Sequence, residues 1–264
     1  MRIKMLLLML VVIPVALATP LEFVLKGDQR STKHSARDDS RNPLQTLQFF
    51  EVKPNHIVIE ISPGGSGWYT EILAPFLREE GKLYAAHYDP DSKIEYFQKS
   101  LKAYQKKLAG NPKIYDKVTL TVMQPPNKIK IGPAASADRV LTFRNVHNWV
   151  QNGGVDEAME AFYKVLKPGG ILGIVDHRAK LGTSMELMRK SGYITEKLAI
   201  ELAEAAGFVL IASSEVNANL KDTTRYEKGV WTLPPSLRLG DQDRKLYLAI
   251  GESDRMTLKF IKPE

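Results

Sequence analysis

The sequence predicts an α/β fold, a doubly wound and mostly parallel sheet, on three observations. Short apolar runs alternate with amphipathic stretches five times in succession. The first run, Ile57-Val58-Ile59, carries no polar interruption, as a strand covered on both faces requires. It ends in a carboxylate, Glu60, and opens into Ile61-Ser62-Pro63-Gly64-Gly65-Ser66-Gly67 before apolar residues return at helical spacing. Gly64, Gly65 and Gly67 let the chain turn sharply and let a ligand approach the N–H groups at a helix start.

Composition bounds the rest. With 264 residues and 44% hydrophobic content the chain has enough apolar material for one sizeable core. It contains no cysteine, which excludes disulfides, thiolate metal sites and cysteine nucleophiles. Arg2 and Lys4 precede an apolar run from Met5 to Val15, and Ala16-Leu17-Ala18 matches a signal-peptidase site. Residues 1–18 are therefore expected to be a cleaved signal peptide and the mature protein periplasmic or secreted. The run is shorter than the roughly 20 residues of a spanning helix, and no cysteine follows Ala18 to take a lipid, so no stable membrane insertion is expected. Losing Arg2 and Lys4 lowers the formal charge from +7 to +5, a mild excess without basic runs interleaved with aromatics. Nucleic-acid binding is not expected.

Residues 19–41 read as a polar leader, loose in character, and 42–264 as the folded domain. Asn42-Pro43 starts a helix, with Asn42 as N-cap. After the glycine loop, residues 69–78 form a helix, and Leu83 to Ala86 a second strand. Asp91 or Ser92 caps a helix whose face is Ile94, Phe97, Leu101, Tyr104 and Leu108. Strands follow at Val118 to Val122, Val140 to Phe143 and Ile171 to Val175, with a Pro- and Lys-rich turn from Gln124 to Pro133. Phe208 to Ala212 and Met256 to Ile261 complete seven strands, and the polar stretch of about 217–253 between them reads as an ordered flap.

Glycine spacing decides between nucleotide readings. A dinucleotide loop demands glycine at Thr70, so that reading fails. A carboxylate at Glu60 suits a ligand with a cationic amino acid moiety instead. Glu60 to Gly67, together with the turn Leu166-Lys167-Pro168-Gly169-Gly170, resembles motif I and the post-motif turn of class I S-adenosylmethionine-dependent methyltransferases. Gly64 to Pro75, Phe143-Arg144-Asn145, Asp176-His177-Arg178 and Gly229 to Pro235 further resemble a group of predicted exported bacterial methyltransferases of unknown substrate.

The resemblance implies a Rossmann-like seven-stranded sheet with the last strand antiparallel, and S-adenosylmethionine as cofactor. It implies cofactor contacts from Glu60, Ser62, Gly64, Gly65, Gly67, Asp89 and Asn145. His87 stands where the family has its ribose-binding acid, and Asp89 is the nearest carboxylate. Ser62 and Ser66 replace family glycines.

His147 and His177 lie past the ends of neighbouring strands, where such sheets bind ligands, and either can serve as a base oriented by Asp176. Arg178 is expected to hold an anionic substrate, and Trp231 to contact it from the flap. The five histidines show no compact ligand spacing, so no metal site is expected. The function implied is methyl transfer to a small-molecule substrate, the alternative being a non-catalytic exported binding protein of the same fold. The oligomeric state is not legible. Mass spectrometry of the exported protein is expected to show a chain beginning at Thr19; a mature chain that retains Met1 would refute the cleavage.

Overall fold

The computed structural model describes residues 20–264, and the expected signal segment lies outside the described residues. One sheet organises the chain. Its strands are β1 (Ile57–Ile61), β2 (Lys82–His87), β3 (Thr119–Gln124), β4 (Lys128–Lys130), β5 (Ala137–Phe143), β6 (Leu166–His177), β7 (Val209–Ser214) and β8 (Arg255–Ile261). They lie in the order β4-β3-β2-β1-β5-β6-β8-β7.

All seven expected strands are present. The eighth, β4, arises because the Gln124–Pro133 turn closes a hairpin, pairing Val122 with Lys130 and Gln124 with Lys128 in antiparallel register. The sheet is therefore eight-stranded and mixed. β8 runs antiparallel to both β6 and β7, as the resemblance implied for the last strand.

β1 pairs in parallel with β2 on one side and β5 on the other, Ile61 facing Ala86 and Thr142. The order reverses across β1 and β5, so loops at their carboxyl ends diverge and leave a crevice. Successive residues of these strands enter different cores. Val58, Leu141 and Val175 join the cluster under the helices Pro43–Phe49 and Thr70–Leu77, whereas Ile59, Val140 and Ile174 join the one under Val155–Val165 and Glu196–Ala205. Both faces are covered, which is why the strands read as unbroken apolar runs.

Residues 20–41 are not a loose leader. Leu21 and Val24 of the helix Leu21–Leu25 enter the second core, and Arg30 forks onto Asp38 at 2.5 and 2.9 Å. His34 Nδ1 lies 2.9 Å from Glu71 Oε2, and its carbonyl accepts from Trp68 Nε1 at 3.0 Å. Four apolar residues in five, Leu21 and Phe23 to Leu25, were the signal for this docking, masked by the surrounding charge.

Two expected caps also differ. Asn42 adopts φ 41° and its side chain donates to Val216 O at 2.7 Å instead of closing the helix. Ile94 occupies the N-cap position of the helix Glu95–Gly110, and the Ser92 hydroxyl accepts from the Ile94 N–H at 3.3 Å.

The stretch 217–253 is ordered and anchored: Asp222 accepts from Tyr193 Oη at 2.9 Å and from Asp254 N at 2.8 Å, and Thr232 and Leu233 are fully buried. No helix among the described residues is long and apolar enough to cross a membrane.

Gly173 in β6 shows how tightly the sheet packs. A Cβ there would lie 2.8 Å from the Phe50 ring and 2.9 Å from Leu141 Cδ2. Gly173→Ala is expected to lower the unfolding free energy by ~1–3 kcal/mol in urea titrations, the range for overpacking a filled core. An unchanged midpoint would show that Phe50 can yield.

Candidate functional site

The crevice at the carboxyl ends of β1, β5 and β6 is a cleft of about 810 Å³, joined to a second cavity of about 510 Å³ through Ser62, Tyr88, Tyr96, Asn145 and Asn148. Volumes of this order suit a small-molecule ligand. Two strand-end residues bend the backbone around it: Ser62 at φ 48° after β1 and Arg144 at φ 63° after β5. A left-handed conformation is strained for residues with a Cβ and concentrates at functional positions. Hydrogen bonds hold both turns, Ser62 N to Ala86 O at 2.8 Å and Arg144 N to Val175 O at 2.7 Å.

The glycine loop divides its labour differently from the sequence expectation. Ser62, Gly64 and Ser66 line the cleft. Gly65 and Gly67 do not; they face the helix Glu95–Gly110. A Cβ on Gly65 would come 3.1 Å from Ala103 Cβ, and one on Gly67 2.8 Å from the Tyr104 ring. These two glycines serve close helix packing. Asn145, at the cleft junction, donates to Ile61 O at 3.0 Å and Thr142 Oγ1 at 3.2 Å, tying β5 to β1.

Glu60 also turns inward. Its carboxylate accepts from Thr70 Oγ1 at 2.7 Å, which lies 2.9 Å from Tyr104 Oη, and it does not line the cleft. Burial pushes its pKa up to about 7, despite the opposing Thr70 hydrogen bond and the more distant Lys107 charge. Glu60, expected to reach a cofactor through the loop or water, here braces β1 against the helix Thr70–Leu77.

Asp89 is likewise withdrawn: Lys128, on the unforeseen β4, sits 3.0 Å from its carboxylate, and Asp89 faces neither cavity. His87 is buried, with Nδ1 accepting from Tyr88 N at 2.8 Å and Nε2 without a partner, and burial lowers its pKa to about 4. Neither residue offers a carboxylate to a ribose. Among the described residues, no Asp or Glu lines either cavity.

The second cavity is aromatic, lined by Tyr88, Tyr96, Phe97 and Trp149, with Gln124 at its edge. Tyr88 and Phe97 stack with centroids 3.9 Å apart.

At the opposite wall the fold assembles what the sequence only juxtaposed. Asp176, at the end of β6 and fully buried, accepts from His147 Nδ1 at 2.7 Å, from His147 N at 3.1 Å and from His177 N at 2.7 Å. A carboxylate accepts only, so His147 Nδ1 carries the proton and Nε2 is the basic nitrogen. His177 stacks obliquely on His147 at 4.9 Å and bonds Ser253 Oγ at 2.5 Å. Burial, then the adjacent His147 and arginines, lowers the His177 pKa well below its usual value, so it is neutral. The ligating atoms of His147, Asp176 and His177 lie within 4.8 Å of one another, a grouping able to hold a metal ion that sequence spacing did not reveal. The three N–H groups on Asp176 give it the bonding of an acid that orients a base.

Trp231 reaches the cleft wall 6.4 Å from the His147 ring, with the Arg238 guanidinium 4.6 Å above it. Arg178 does not. Its fork is taken by Asp254 at 3.0 Å and Glu215 at 2.6 and 2.7 Å, with Glu196 at 3.6 Å, so its charge is spent outside the cleft. The cations facing the cleft are Arg37, Arg41, Arg144, Lys190 and Arg238. Sequence reasoning passed over them because they lie in the supposed leader, a strand end, the helix Met185–Ser191 and the flap. Arg37 and Arg41, one helical turn apart, were the available signal.

No family model matches the sequence, and no curated protein matches it. Solved structures do. A SAM-dependent methyltransferase from Aquifex aeolicus aligns with TM-score 0.54 and 19% identity, over 75% of this chain and 94% of that one. The [4+2]-cyclase SpnF gives 0.57 and 14%, over 90% and 85%. Phosphoethanolamine N-methyltransferase 2 of Haemonchus contortus, in complex with phosphomonomethylethanolamine and S-adenosylhomocysteine, gives 0.56 and 16%, over 93% and 61%.

A native Glu60 titrating near pH 7, against about 4.5 unfolded, binds more protons folded than unfolded between those values, so its contribution to stability falls as pH rises through the window. Glu60→Gln removes that titration. The stability difference between variant and wild type is expected to shift by ~3 kcal/mol in the variant's favour from pH 4.5 to 8, measured by chemical denaturation. A pH-independent difference would contradict the burial of the charge. At the identities above the likeness is one of fold, and the chain has the fold of the S-adenosylmethionine-dependent methyltransferases.

Proposed function

We propose that this protein transfers a methyl group from S-adenosylmethionine to a small-molecule acceptor. One observation carries the reading: two joined cavities straddle the switch point of the sheet, one aromatic and one cationic with a buried His147–Asp176 pair on its wall. The residues fit the cofactor in outline. Phe97, Tyr88 and Trp149 offer apolar faces to an adenine, Ser62, Gln124 and Asn145 offer polar groups to a ribose, and an arginine of the cleft would meet the methionine carboxylate.

When bound, the cofactor supplies a sulfonium-activated methyl group. His147 Nε2 then accepts the proton that a hydroxyl or ammonium acceptor releases, while Asp176 holds the ring and stabilises the imidazolium. The protein's main contribution is positioning, with Trp231 and Pro234-Pro235 closing the cleft from the 217–253 segment as a flap. The expected export to the periplasm or the exterior, and kinship with the exported bacterial group, belong to the same proposal.

A second reading has its own support. With His87 in the place of an acid and no carboxylate among the described residues of either cavity, the same cleft suits a binding protein for an anionic metabolite. Calorimetry of the mature protein with S-adenosylmethionine and S-adenosylhomocysteine separates the two. Binding of both is expected, and His147→Gln is expected to lower kcat by about 10²- to 10⁴-fold while S-adenosylhomocysteine affinity holds. A folded protein that binds neither compound leaves only the binding-protein reading.

A further inference from the structure

One end of the cleft holds an arrangement that methyl transfer alone does not require. Arg37, Arg41 and Arg255 converge on a single carboxylate, Glu252, at 2.7, 3.2 and 3.3 Å, and Arg144, whose charge acts on the same groups, has no side-chain partner among the described residues. Arg41 and Arg255 are 2% and 3% exposed. Burial would raise the Glu252 carboxyl, but Arg41, Arg255, Arg37 and Arg144 overcome it and hold the group at about 2. Burial, followed by repulsion from Arg144, drags the Arg41 guanidinium down to about 9.

Four guanidiniums against one carboxylate leave a surplus of three positive charges. Three of the N–H positions, Arg37 Nη2, Arg41 Nη2 and Arg255 Nε, are buried without an acceptor. Each such group is costly to bury unless something accepts from it. Arg37, Arg41 and Arg144 line the cleft itself.

We infer that this cluster is an oxyanion subsite that takes a phosphate group of the methyl acceptor. The inference rests on the proposed function and names its substrate class. A methionine carboxylate could enter the same place, but S-adenosylmethionine also carries an ammonium and a sulfonium. Its net charge of about +1 does not neutralise the surplus, and no carboxylate of the cleft among the described residues offsets it. A phosphate monoester brings about two negative charges and three acceptor oxygens for forked donors. A bound phosphate also makes the cleft hospitable to the cationic cofactor, so acceptor and cofactor bind with mutual benefit.

The test uses inorganic phosphate as probe and the mature chain without cofactor. Calorimetry is expected to show phosphate binding that weakens with added salt. Arg144→Gln, chosen because the side chain bonds to nothing among the described residues, is expected to weaken it at least tenfold with an unchanged melting temperature, and Lys190→Gln much less. S-adenosylhomocysteine added to phosphate-saturated protein is expected to bind as well as to the free protein or better. Competition between the two would assign the cluster to the cofactor carboxylate and overturn the inference, as would absent phosphate binding or indifference to Arg144→Gln. Phosphate binding without S-adenosylhomocysteine binding would keep the anion subsite and remove the methyltransferase reading.

Discussion

The position of β1 between two parallel neighbours is the constraint on which the molecule depends. Because β2 and β5 flank it with their carboxyl ends aligned, the chain must leave all three strands at the same edge and in divergent directions. The crevice is a consequence of that topology, and one wall of the site is hung from the strand ends beside it. Ser62 and the glycine loop follow β1, Arg144 to His147 follow β5, and Asp176-His177 end β6. Hydrogen bonds from Asn145 to Ile61 O and from His147 to Asp176 lock these ends together. The site is rigid because its supports are the sheet itself.

Electrostatics gives the crevice its character. The acids of this region are turned away from the ligand space: Glu60 braces Thr70, Asp89 pairs with Lys128, Asp176 is covered by three N–H groups and Glu252 lies beneath the arginines. The cations remain. Burying guanidiniums against one another is unfavourable, and the depressed Arg41, Arg144 and Arg255 values record it.

The glycine loop and the polar stretch before it show two ways in which local sequence misleads. Gly65 and Gly67 sit in a ligand-loop pattern, yet their missing side chains make room for Ala103 and Tyr104 of a helix some 40 residues on. Residues 20–41 look solvated in isolation, yet Leu21, Val24 and Trp68 fix them against the core, and this delivers Arg37 and Arg41 to the cleft. Asp89 lost its expected part for a similar reason, since its partner Lys128 belongs to a three-residue strand too short to carry a pattern.

By itself the sequence determined seven of the eight strands. Apolar runs bounded by Gly and Pro specify buried strands, and their alternation with amphipathic stretches specifies a doubly wound order, because both are local consequences of burying apolar surface. It also placed the titratable side chains of the cleft wall at strand ends, since His147 follows β5 and Asp176 and His177 end β6. Only the tertiary structure decided which charges face the cleft. Arg178 and Arg144 each follow a strand end by one position, but one is consumed by Glu215 and Asp254 while the other has no partner among the described residues and lies near Arg255. Pairing of charges depends on residues more than 30 positions away in the chain, and no local periodicity encodes it.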